Sequence, residues 1–69
     1  MDITEEEFRL CKSISLDKQY VQPRVRMCSD KENKQVIKEF KCVDEQGAWL
    51  LFEQLMEVWN EVKTSRISN

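Results

Sequence analysis

The stretch from Asp44 to Lys63, DEQGAWLLFEQLMEVWNEVK, constrains this chain most, because it is the longest apolar-rich run and has one clear period. At about 100° per residue, Ala48, Leu51, Phe52, Leu55, Trp59 and Val62 share one face. The spacing predicts an amphipathic helix over about 45–63. Asp44 is a suitable N-cap, since its carboxylate can accept an orphan N–H of the first turn. Glu45 stands at the positive end of the helix dipole and Lys63 near the negative end, both favourable. Such a stripe must be covered.

That length is one small domain (1–69), near the lower limit at which a single core holds without staples. A chain 41% hydrophobic and 35% charged is foldable rather than disordered. One Gly and one Pro leave little room for a glycine-rich phosphate loop or a long linker. The net charge of −2 argues against bulk attraction to nucleic acid but says nothing of local patches. No apolar run approaches transmembrane length, and MDITEEEF is acidic where a signal peptide is basic. A cytoplasmic protein with no membrane partner is expected. Cys11, Cys28 and Cys42 are odd in number and widely spaced, which favours reduced, structural thiols over a disulfide framework. With no histidine and no CxxC, neither a metal site nor a cofactor is expected.

The segment at 4–15 admits two readings. As a helix, Thr4 is the N-cap and Glu7 its partner in a capping box. As a strand, Phe8, Leu10, Ile14 and Leu16 alternate with Arg9, Cys11, Ser13 and Ser15, broken only at Lys12. The β-branched and serine content after Lys12 favours the strand. Asp17 to Gln19 reads as a turn. Val21, Pro23, Val25 and Met27 then alternate with Gln22, Arg24, Arg26 and Cys28, with proline pointing to a strand edge or start. The polar run Asp30 to Lys34 suits a hairpin loop. Beyond it, Val36, Phe40 and Cys42 fall on one face and Ile37, Glu39, Lys41 and Val43 on the other. A helix is the alternative here, with Ser29 and Glu32 as a capping box. Two alternating segments flanking a loop favour the hairpin.

The expected fold is therefore α+β: a three-stranded antiparallel meander (about 8–16, 20–29 and 35–43) packed against the C-terminal helix, with a polar tail from about 64. Phe8, Leu10, Ile14, Leu16, Val21, Val25, Met27, Val36, Phe40 and Cys42 would face the helix.

No catalytic constellation emerges. Histidine, the usual acid–base group at neutral pH, is missing. Glu53, Glu57 and Glu61 fall on the outer face of the helix, the pattern of a solvated surface. Cys42 alone lies near a helix start, and its neighbouring carboxylates raise a thiol pKa rather than lower it. An enzyme acting on a small-molecule substrate is not expected.

Two surfaces are candidates for binding. On the sheet face away from the helix, Arg9, Arg24, Arg26 and Lys41 would stand against Glu39 alone, with Ser13, Ser15 and Gln22 between. Exposed strands often carry long polar side chains, but such a platform also suits phosphates or an acidic protein surface. On the helix, Trp49, Leu50 and Met56 are surplus to the core stripe and would suit a protein partner or a second copy.

The junction KEFKCVDEQGAWLLFEQL at 38–55 resembles the end of integrase arm-binding and AP2-type domains, in which a Phe-Lys strand motif and acidic residues precede an Ala-Trp helix start. Phe40, Lys41, Glu45, Ala48 and Trp49 stand in those places. The resemblance implies three strands followed by one helix, a sheet inserted in the DNA major groove, and Arg9, Arg24, Arg26 and Lys41 as groove-facing residues. The residues themselves favour a small non-catalytic regulator that binds a protein partner, an accessory or inhibitor protein of the kind phages encode. DNA binding through the sheet is the alternative.

Overall fold

The helix after Asp44 is present and outlasts its apolar pattern. In the computed structural model, which describes residues 3–19 and 21–67 (the last two by backbone alone), α2 runs from Glu45 to Ile67. Asp44 caps it: its Oδ1 accepts the Gly47 N–H at 2.8 Å, and its carbonyl oxygen accepts the Ala48 N–H at 3.1 Å. At the other end the helix continues past Lys63 because no Gly or Pro follows to stop it. There the Thr64 hydroxyl donates to the Asn60 carbonyl at 2.9 Å. Ala48 and Leu55 are fully buried, while Leu51, Phe52, Val58, Trp59 and Val62 pack half-buried around them.

The cover is a three-stranded antiparallel sheet in the order β1 (Ser13–Asp17), β2 (Arg24–Cys28), β3 (Val36–Lys41). Leu16, Val25 and Phe40 lie opposite one another across the three strands, and Ile14 lies opposite Met27. These side chains join the core that α2 covers as it lies across β1 and β2. Val25 and Met27 are completely buried, each worth about 1.5–3 kcal/mol of apolar burial. The architecture is thus the expected α+β arrangement, with one element added.

That element is α1, Glu5–Leu10, where the strand reading of residues 8–12 fails. Thr4 Oγ1 accepts the Glu7 N–H at 3.1 Å, and Glu7 Oε1 accepts the Thr4 N–H at 2.9 Å. This reciprocal pair satisfies two donors that a strand start would leave to solvent. Ile3 and Phe8 occupy the positions on either side of the cap that usually pack together, and both belong to the core cluster. Phe8 is therefore buried from a helix packed on α2, while Leu10 falls on the outside of α1, 55% exposed.

The pleat also departs from simple alternation in β3. Met27 pairs with Lys38 but Cys28 with Val36, leaving Ile37 as an extra residue in a bulge. Ile37 consequently packs on the core and Val36 is exposed, the reverse of the expected assignment. Val21, expected in the core, is fully exposed because β2 begins only after Pro23. Pro23 is buried, and its carbonyl accepts the Cys42 N–H at 2.8 Å, which ties the start of β2 to the end of β3. Tyr20, placed at the start of that strand by the sequence pattern, lies outside the described residues. In the β2–β3 loop the Asp30 carboxylate accepts the Lys34 and Gln35 N–H groups at 2.9 and 2.8 Å, and Asn33 takes the left-handed turn at φ 62°.

Candidate binding surfaces

The open sheet face is not the basic platform that alternation suggests. The strand pairings put Ser13, Ser15, Asp17, Arg24, Arg26, Cys28, Glu39 and Lys41 together on it. Arg9 is absent: it lies on α1, held by Glu5 at 2.7 Å and Glu6 at 3.8 Å. Arg26 is bracketed by two carboxylates, Glu39 at 2.7 Å and Asp17 at 3.6 Å, and Glu39 also reaches Arg24 at 3.4 Å. The chain of charges Asp17–Arg26–Glu39–Arg24 crosses all three strands. Arg26 donates a hydrogen bond to the Glu39 carboxylate, which with the Arg24 charge holds the Glu39 pKa below its ordinary value against partial desolvation. Three cations and two carboxylates leave the face with one net positive charge. Asp17, which the sequence pattern reads as the start of a turn, is the last residue of β1, opposite Arg24 on this face.

On α2 the structure separates the three apolar candidates. Trp49 and Met56, seven residues apart, lie on one side of the helix, 44% and 39% exposed. They continue outward from half-buried Phe52, whose ring meets Trp49 edge-on at 5.6 Å. Lys18, paired with Glu45 at 3.3 Å, places its ammonium 6.0 Å from the Trp49 ring. Leu50, 58% exposed, lies about 100° further round the helix, among Gln46, Glu53, Gln54 and Glu57.

A third surface has no counterpart in the sequence pattern. Between α1 and the C-terminal half of α2 is an open cleft of about 430 Å³. Phe8, Cys11, Trp59 and Val62 form its apolar part, and Arg9, Lys12, Lys31 and Lys63 its charged part, with no carboxylate in the lining among the described residues. Among the described residues, Lys12, Lys31 and Lys63 have no acidic partner within ion-pair distance. Lys63 instead sits over the Trp59 ring at 4.1 Å. The Trp59 indole N–H is buried without an acceptor among the described residues, a state that costs about 1–3 kcal/mol. The sequence signal was faint: none of these three lysines has an acidic residue three or four positions away.

Burial pushes the Cys11 and Cys28 pKa values up, Cys28 with help from Asp30, away from the thiolate a nucleophile requires. Cys42 is half-buried, and all three cysteines are free. Among the described residues no group of three His, Cys, Asp or Glu side chains could hold a metal ion, and no helix is long and apolar enough to cross a membrane. Compared with known proteins, the chain matches no family model, no curated protein and no solved structure.

Proposed function

We propose that this chain is a small non-catalytic regulator that acts in the cytoplasm by binding a protein partner through the Trp49–Met56 side of α2. The observation that carries the reading is the alignment of two large, exposed apolar side chains on one side of α2, continuous with the core through Phe52. Tryptophan and methionine are enriched at the centres of protein interfaces. Glu53 lies between them on the helix surface, so the matching partner surface is apolar and offers a cation. The free thiols fit a reducing compartment.

Binding of duplex DNA through the sheet, which the AP2-type resemblance implies, fits the arrangement less well. Its arginines are already engaged by Glu39 and Asp17, and Arg9 is elsewhere.

The test compares proteins captured by the immobilised native chain, by a Trp49→Ala, Met56→Ala variant and by Leu50→Glu. A partner retained by the native chain and by Leu50→Glu, but lost by the double variant, supports the reading. Equal capture by a folded double variant refutes it.

A further inference from the structure

We propose that the cleft between α1 and α2 is a second binding site, built for an acidic peptide segment that inserts one bulky apolar side chain. This goes beyond the partner surface around Trp49, which lies nearer the other end of the same helix. Two independent properties of the cleft select the ligand. Its apolar part, with Phe8 and Trp59 as the aromatic components, fits a single Leu- or Phe-sized side chain with its backbone. Its charged part is carried by Lys12, Lys31 and Lys63, which among the described residues meet no carboxylate in the lining, although the whole protein is acidic. Positive charge concentrated around an apolar recess attracts carboxylates flanking an apolar anchor.

The same features disfavour a nucleotide. Lysines bind phosphate as point charges, but specific phosphate sites commonly add pre-aligned backbone N–H groups or a free guanidinium fork. Here the one glycine, Gly47, is at the opposite end of α2, and Arg9 is engaged by Glu5 and Glu6. Three ammonium groups on flexible stems suit the looser charge pattern of a peptide.

The experiment uses the Trp49→Phe variant, leaving Trp59 as the sole indole reporter. It is titrated with the blocked peptide Glu-Asp-Phe-Asp-Glu, with the same peptide carrying Gly for Phe, with ATP and with oligothymidylate. The Phe peptide should change Trp59 emission saturably and bind at least tenfold more weakly at 300 mM than at 30 mM salt. It should also lose at least tenfold on Lys12→Glu, Lys31→Glu substitution, two exposed positions at which the fold is spared. The Trp49→Ala, Met56→Ala variant should bind it unchanged, so failure of the flank reading does not touch this one. Equal binding of the Gly peptide, tighter binding of ATP or oligothymidylate, or no saturable change with the Phe peptide would overturn the proposal. So would an emission change that follows protein concentration alone, which would assign the cleft to a second copy.

Discussion

Removing the two carboxylates from the open sheet face should convert a nearly neutral surface into one that holds nucleic acid. Asp17→Asn with Glu39→Gln keeps side-chain shape and one acceptor oxygen of each carboxylate while removing both negative charges, and Arg24, Arg26 and Lys41 remain. The face then changes from one net positive charge to three. Each phosphate neutralised contributes about −0.9 to the slope of log affinity against log salt. The variant should reach a slope of about −2.7, so that a fourfold rise in salt weakens binding roughly 40-fold, against roughly threefold for a single net contact in the native chain. Glu39→Gln alone should have more effect than Asp17→Asn, because Glu39 engages both arginines. Fluorescence anisotropy of a labelled duplex between 50 and 200 mM salt measures the slopes. A native slope already near −2.7 would show that the carboxylates do not neutralise the arginines. A folded double variant with a slope no steeper than the native one would show that the face does not reach phosphates at all.

Two stability predictions follow from the core and from the ion pairs. Leu55→Ala, at a position with no exposure, should cost about 2–5 kcal/mol, against a total of roughly 3–10 kcal/mol for a domain of this size; a urea-midpoint loss equivalent to under about 1 kcal/mol would contradict its central place. Glu39, Glu7 and Asp30 all titrate below their ordinary values in the folded state, chiefly through hydrogen bonds from Arg26, the Thr4 backbone and the Gln35 backbone respectively. A carboxylate whose folded pKa is lowered contributes stability that is present above its unfolded pKa, about 4, and is lost as pH falls through the folded value. Urea midpoints should therefore drop between pH 5 and pH 3, and less steeply for Glu39→Gln; an unchanged acid limb in that variant would remove Glu39 from the account.

The C-terminal helix was legible in the sequence because a long 3.6-residue period and a capping aspartate agree. The N-terminal helix was not, since six residues span too few turns to express a period. The one decisive signal, the Thr4–Glu7 capping box, competed with an alternation that continues into β1. The bulge at Ile37 carries no Gly or Pro to mark it, so Val36 and Ile37 exchanged faces unseen. Asp17 and Glu39 lie far apart in the chain and meet at Arg26 only through strand register. The cleft is further still from local pattern: α1, the α1–β1 connection, the β2–β3 loop and α2 each supply part of it.

The bulge in β3 also bears on how these molecules coexist in a crowded solution. As an outer strand of a short sheet, β3 offers unpaired backbone groups that a neighbouring chain could copy in a growing cross-β stack. The irregularity at Ile37 spoils the flat template such stacking requires, and Lys38 and Lys41 put charge within the same strand. Straightening that kink by deleting Ile37 would put at risk the discreteness of each particle as well as the core.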